Sequence, residues 1–220
     1  MGVVLLVRHG QASFGAADYD VLSETGWTQG RLLGSWLAER GVKPDLVVRG
    51  TMRRHRETAE AMAEAAGWSL EARVDDGWDE FDHLAVVAAN GESADGLGRR
   101  EFQELFERST ARWAAGEGAD YPETYVDFLG RVDRATDRAA AEAGSGRTVV
   151  VVSSGGPIGA VCARLSDPAA DVPALARMWA RFNAVTVNSS VTRFVVGSTG
   201  ARLITFNEHP HLEGGHLTYR

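Results

Sequence analysis

The sequence predicts an α/β fold: a three-layer α/β/α sandwich whose central sheet is mostly parallel, with an antiparallel edge. Three observations predict it. Short β-branched apolar runs recur at 3–7, 46–48 and 148–152, stretches of helical period lie between them, and two alternating strands sit near the C-terminus around a pair of glycines.

Val3 to Val7 is apolar throughout and ends in Arg8, which predicts a buried central strand. Leu32, Leu33, Trp36 and Leu37 recur at helical spacing between Thr28 and Arg40, with Gly41 and Pro44 as stop signals. Leu46 to Val48 predicts a second strand, and Met52 to Ala66 a helix closed by Gly67. Periodicity fades between Asp75 and Gly98. The amphipathic segments Arg99 to Ala115 and Thr124 to Ala143, divided by Gly116, Gly118 and Pro122, predict a helical insertion over the sheet edge, a lid at about 82–145 within one domain spanning 1–220. Thr148 to Val152 predicts a third buried strand, running into Ser153, Ser154, Gly155, Gly156 and Pro157 at the start of a helix. A helix over Val172 to Phe182 then precedes strands Ser190 to Val196 and Arg202 to Phe206, joined at Gly197 and Gly200 as a hairpin.

The chain has 220 residues, 44% of them hydrophobic and 24% charged, enough to bury roughly 70% of its unfolded surface around a single core. A net charge of -7 argues against nucleic acid as a partner, since neutralising a phosphate backbone needs a basic face. Of the 23 basic side chains only Lys43 is a lysine, so positive charge is almost all guanidinium. The single Cys162 excludes a disulfide framework and a cysteine metal cluster. The opening apolar run is too short for a signal peptide or a membrane span, which predicts a cytoplasmic protein without a membrane partner.

In open α/β sheets ligands bind beyond the carboxyl ends of the strands, which selects three loops: Arg8-His9-Gly10, Arg49 to Arg54, and Ser153 to Pro157. The first delivers a guanidinium and an imidazole from a rigid strand, with Gly10 allowing close approach of a ligand to the backbone. The second crowds Arg53, Arg54 and Arg56 at a helix start, where the macrodipole disfavours cations unless an anion lies nearby. The third offers small side chains and unpaired helix-start amides, with Ser153 or Ser154 as N-cap. Together they suit a phosphoryl group and the charge that spreads over its transition state.

Four segments carry a family resemblance: LLVRHGQAS, LSETGWTQGRLLGSWL, MRRHRETAEAM and VVVVSSGGPIGAV. In this order and context the chain resembles the histidine phosphatase superfamily, with its phosphoglycerate mutase-like fold. The resemblance implies that His9 attacks phosphorus to form a phosphohistidine that water hydrolyses, and that Arg8 and Arg54 clamp the phosphate. Arg53 and Arg56 then read as solvated surface. Glu80, within GWDEFDH, resembles the acid that protonates the leaving oxygen and activates water, with Asp79 and Asp82 competing for that assignment. Gln11, Ser13 and Gly155 lie close enough to the other motifs to touch phosphate.

The chain departs from that pattern at two positions. Ser154 stands where most members carry a second phosphate-binding histidine, and Gly50 where a serine is common. A hydroxyl supplies no cationic contact, so a roughly tenfold to hundredfold weakening is expected, and Ser154→His is expected to raise activity. His55 and His83 read as bystanders, and His209, His211 and His216 as a tail of surface histidines with no metal set. The sequence thus predicts a metal-independent phosphomonoesterase without cofactor, acting on a small phosphate ester as a monomer or homodimer. The rival from another class is a catalytically weakened or silent phosphoester-binding protein. Phosphoglycerate mutase activity is the weaker guess, because returning phosphate to a bound intermediate demands tight retention.

Overall fold

The computed structural model describes residues 1–13, 20–93, 96–118 and 120–219; positions 94, 95 and 119 of the expected insertion lie outside the described residues. In chain order the elements are β1 (Gly2–Arg8), α1 (Glu24–Glu39), β2 (Leu46–Arg49), α2 (Arg53–Ala66), β3 (Arg73–Val74), α3 (His83–Ala89), α4 (Arg99–Ala114), α5 (Tyr125–Ala143), β4 (Thr148–Ser153), α6 (Gly155–Ser166), α7 (Val172–Val185), β5 (Val191–Gly197) and β6 (Gly200–Glu208). The strands form one sheet ordered β3-β2-β4-β1-β5-β6. β4 runs parallel to both β1 and β2, and β3 parallel to β2, while the β5–β6 hairpin joins β1 antiparallel and makes the other edge.

β1 and β4 are apolar throughout because both sheet faces are covered. Leu5, Val7, Val150 and Val152 share a core with Leu33 and Leu37 of α1 and Ala59 and Met62 of α2. Val4, Leu6, Val149 and Val151 face the opposite layer with Val132 of α5 and Ile158 of α6. α5 therefore lies on the sheet itself, touching β1, β4 and α6, rather than over its edge as the sequence predicted. Its buried stripe, Phe128, Val132, Ala135 and Ala139, has the helical spacing that the sheet face requires.

Local chemistry sets the remaining boundaries. α1 begins at Glu24, four residues before the predicted start, because Ser23 caps it by accepting from the Gly26 N–H at 3.1 Å. α3 has only seven residues, too few to display a period, which is why 75–98 read as irregular, and β3, just before that stretch, has two and was not foreseen. An aromatic core of Trp78, Phe81, Trp113, Phe128 and Trp179 joins the 78–81 loop to α4, α5 and α7, with Phe81 and Trp113 stacked 4.6 Å apart.

The C-terminal histidines form no surface tail. His209, His211 and His216 are each partly buried, and the segment folds back over the β1–α1 region. Gln29 Nε2 donates to His216 O at 2.7 Å and to Thr218 Oγ1 at 2.8 Å, and Asn188 N–H to Thr218 O at 2.9 Å. His211 Nε2 lies 3.0 Å from Ser189 O beneath Trp36, and burial pushes its pKa down to about 4. Among the described residues no helix is long and apolar enough to cross a membrane.

Candidate active site

Parallel pairing places Arg8 opposite Ser153 at the ends of β1 and β4, so the loops that follow those strands start from a common level. His9 continues straight from β1: its N–H donates to Ser153 O at 2.9 Å, and its carbonyl accepts from Ser189 N–H and Asn188 Nδ2, both at 3.2 Å. The imidazole is 6% exposed, with Nδ1 2.7 Å from Gly10 O. A carbonyl only accepts, so Nδ1 carries the ring proton and Nε2 keeps its lone pair. Burial holds the His9 pKa well below 6.5, and the Arg54 and Arg8 guanidiniums and His55 push the same way. The ring is therefore neutral near pH 7. The close approach expected at Gly10 is made by the protein's own backbone at Gly26, and the Gly10 N–H donates to Thr58 Oγ1 at 3.0 Å.

Arg8 Nη1 donates to the carbonyls of Thr186 and Tyr219, the latter at 2.7 Å, so the C-terminal segment steadies this guanidinium. Arg54 is 8% exposed, and its Nη1 pairs with Asp20 Oδ1 at 2.7 Å. Asp20 Oδ2 accepts from the Arg53 N–H at 2.7 Å, so one carboxylate both caps α2 and supplies the anion that its basic first turn calls for. Arg53, itself exposed, reaches the buried Glu57, and Arg56 pairs with Glu60 on the outer face of α2.

Glu80 reaches the start of α6, where the Gly156 N–H donates to its Oε2 at 3.1 Å. A Cβ at position 156 would stand 2.0 Å from Glu80 Oε1, so only glycine admits the carboxylate there. Burial raises the Glu80 pKa, against the opposing pull of the Gly156 and Phe81 N–H groups and of Arg54 and Arg8. The neighbouring acids have other duties. Asp79 holds Thr51 through its N–H at 2.6 Å and its hydroxyl, and Asp82 caps α3 by accepting from the Ala85 N–H at 2.9 Å.

The serines divide as well. Ser153 donates to Trp78 O at 2.6 Å and so tethers the loop carrying Glu80, whereas Ser154 sits at the α6 N-cap without making a capping bond. Gly155 adjoins both Asn183 of α7 and Arg8 Nε. Gln11 and Ser13 are turned toward α1 and its approach: Gln11 Oε1 accepts from Ser23 Oγ at 2.9 Å, and the Ser13 N–H donates to Val21 O at 2.8 Å.

His55, read from sequence as a bystander, faces inward. It is fully buried, its ring centroid lies 5.8 Å from that of His9, and its Nε2 is 2.8 Å from Ser154 Oγ. Burial, Arg54 and Arg49 hold its pKa well below 6.5. His83 packs edge-on against Phe102 and Phe106 of α4. Three further residues carried no sequence signal. Arg131 of α5 donates to the carbonyls of Asp76, Gly77 and Asp79 at 3.3, 3.1 and 2.9 Å while pairing with Glu123; Asp20 holds Arg54; and Asn183 flanks Gly155. Each acts across a tertiary contact that leaves no local pattern. Among the described residues no three His, Cys, Asp or Glu side chains form a metal-holding group.

The end of β1, the start of α2, the 78–81 loop and the β4–α6 turn thus bring Arg8, Arg54, a neutral His9 and a Glu80 of raised pKa within electrostatic reach of one another, with Ser154 held by His55 beside His9. Residues 4–209 match the histidine phosphatase superfamily (branch 1). A glucosyl-3-phosphoglycerate phosphatase of Mycolicibacterium vanbaalenii is 33% identical over 183 residues, 74% of this chain and 73% of that protein. The structure of a mycobacterial glucosyl-3-phosphoglycerate phosphatase with inorganic phosphate aligns with a TM-score of 0.68 at 26% identity, covering 96% of this chain and 99% of that one. A phosphoglycerate mutase from Bacillus anthracis, 19% identical with a TM-score of 0.66 over 96% of this chain and 95% of its own, shares the fold. The chain belongs to the histidine phosphatase superfamily and is a phosphatase of that family.

Proposed function

We propose that the protein is a metal-independent phosphomonoesterase in which His9 Nε2 attacks phosphorus and the resulting phosphohistidine is hydrolysed by water. The observation that carries this is the state of His9: Nδ1 is committed to Gly10 O, the ring is held neutral by burial and two guanidiniums, and Nε2 remains nucleophilic. Arg8 and Arg54 then bind the equatorial phosphoryl oxygens, Arg54 exchanging part of its pairing with Asp20 for the substrate. The Gly155 N–H and the Ser154 hydroxyl, at the α6 N-terminus, contribute neutral hydrogen bonds.

Glu80 is the proton donor to the leaving oxygen and afterwards the base that takes a proton from the attacking water. Its raised pKa supports the first role, since the group must enter the reaction protonated. The substrate is a small phosphate ester. The insertion's cations support that choice, because Arg100 pairs with Glu104 and Arg108 with Glu92 on the outer surface, leaving them neutralised. A glycosylated phosphoglycerate, for which the mycobacterial relatives are named, is the first compound to test.

In the presence of a chelator, para-nitrophenyl phosphate and a panel of sugar and hydroxy-acid phosphates are expected to be hydrolysed, and His9→Ala to abolish turnover while leaving the thermal unfolding midpoint near that of the parent. Turnover by a folded His9→Ala variant overturns the assignment of the nucleophile. Tight phosphoester binding without turnover by the parent identifies a binding protein instead.

A further inference from the structure

His55, Ser154, Gly50 and Asp79 form a buried group beside His9 whose composition the phosphomonoesterase chemistry above does not explain. His55 and Ser154 are both fully buried, with Nε2 and Oγ 2.8 Å apart. Ser154 occupies a helix N-cap, where a serine ordinarily accepts from a first-turn N–H; it makes no such bond, and the Gly156 N–H of that turn goes to Glu80. Pro157 at the third position has no N–H to offer, so the hydroxyl has no capping donor and is left to His55.

The other face of the ring is as constrained. His55 Nδ1 is buried without a hydrogen-bond partner, 3.8 Å from Asp79 Oδ1. A Cβ at position 50 would fall 2.3 Å from Nδ1 and 2.4 Å from Asp79 Oδ1, so this imidazole fits only because residue 50 is glycine. Both departures from the family pattern, Gly50 and Ser154, thus border the same ring. One makes room for it and the other receives its Nε2.

We infer that His55 is a positioning residue that acts through Ser154: when a phosphoryl group on His9 takes the Ser154 hydroxyl proton, Ser154 Oγ accepts from His55 Nε2, the tautomer with the proton on Nε2 being selected by the bound anion over the one that faces Asp79 from Nδ1. The inference rests on the assignment of His9 as nucleophile. A serine hydroxyl alone rotates and spends part of its time on other acceptors. Once Oγ accepts from a fixed ring nitrogen, its proton is confined to the two remaining tetrahedral positions, which narrows the directions in which it can donate. The imidazole that most family members carry at position 154 is in this chain supplied from α2, one residue after Arg54. On this inference, and against the reading from sequence, Ser154→His alone is expected not to raise activity, because its longer side chain would meet His55 Nε2, which lies 2.8 Å from Ser154 Oγ.

The test is a set of variants assayed for kcat and KM on para-nitrophenyl phosphate with chelator, and for vanadate inhibition. His55→Ala and Ser154→Ala are each expected to lower kcat/KM about ten- to hundredfold and to weaken vanadate by a similar factor. The double variant is expected to fall within about threefold of the weaker single one, because both remove the same hydrogen bond. His55→Gln, which presents an N–H at similar reach, is expected to recover part of the loss. Ser154→His is expected to be poor alone and improved by adding His55→Ala, which moves the imidazole to position 154. Thermal unfolding is followed throughout, and if alanine at 55 does not fold, the glutamine variant and the relocated pair decide the matter. Retention of parental kcat/KM by a folded His55→Ala variant, multiplying losses in the double variant, or a gain from Ser154→His alone overturns the inference. A dead His9→Ala alongside a fully active His55→Ala removes this inference and leaves the nucleophile standing, whereas an active His9→Ala removes both.

Discussion

Glu80 and His9 have pKa values moved in opposite directions by one common cause, the loss of water around both. Desolvation penalises whichever form is charged, so it drives the histidine down, toward the neutral form a nucleophile needs, and the carboxyl up, toward the protonated form an acid needs. With His9 neutral down to low pH, the acid limb of kcat/KM lies well below 6.5, and activity declines on the alkaline side as Glu80 loses its proton. Glu80→Gln is expected to remove that alkaline limb and to lower kcat by about a hundredfold or more for alkyl phosphates. For para-nitrophenyl phosphate, whose phenolate leaves without a proton, the loss is expected to be clearly smaller. Equal losses on both substrates would exclude Glu80 as the acid. The sequence already favoured Glu80 over Asp79 and Asp82 in GWDEFDH; the fold adds support for that choice, because Thr51 and Ala85 occupy the other two carboxylates.

At the scale of elements, the 76–81 loop has little regular structure of its own and is held by its neighbours. Ser153 of β4 takes the Trp78 carbonyl, Arg131 of α5 takes three more carbonyls, and Phe81 is locked into the aromatic core. Arg131→Ala removes those bonds together with the Glu123 ion pair. It is expected to cost about 1 to 3 kcal/mol of stability, measured by urea unfolding, and to lower kcat more than it raises KM, since Glu80 is aimed by this loop while the phosphate clamps are not. A destabilised variant with unchanged kcat would separate the loop's anchoring from catalysis. The basic start of α2 follows the same logic: Arg53 and Arg54 are tolerable against the helix dipole because Asp20, remote in sequence, closes the charge.

For the molecule as a whole, burying neutral histidines ties stability to pH. An unfolded histidine titrates near 6.5, while His9 and His55 titrate well below it in the fold and His83 and His211 are lowered too, so below 6.5 the unfolded chain binds more protons. Stability is therefore complete above pH 6.5 and falls as the solution is acidified, by about 1.4 kcal/mol per pH unit for each histidine. Glu80 opposes this over the interval between 4.5 and its raised value, where the folded state holds the extra proton. Urea midpoints at pH 7.5, 6.5 and 5.5 are expected to decline below 6.5, and His55→Gln to flatten the slope by one histidine's share. Midpoints independent of pH over that range would mean that the buried rings charge as readily in the fold as in water.

The parallel core, the βαβ order, the hairpin edge and the three loops at the strand ends follow from the sequence, because an apolar run, a helical period or a glycine stop is written in residues next to one another. Arg8 and His9 belong with them, since a strand pointing at a rigid base leaves its last side chains little choice of place. Tertiary structure alone decided that His55 turns inward, that α5 lies on the sheet, that Asp20 answers Arg54, and that the C-terminal segment folds back with His211 against Trp36. The direction of a side chain on a helix is set by what the helix is pressed against, and the partners that press it, Gly50, Asp79 and Ser154 for His55, come from three separate stretches of chain.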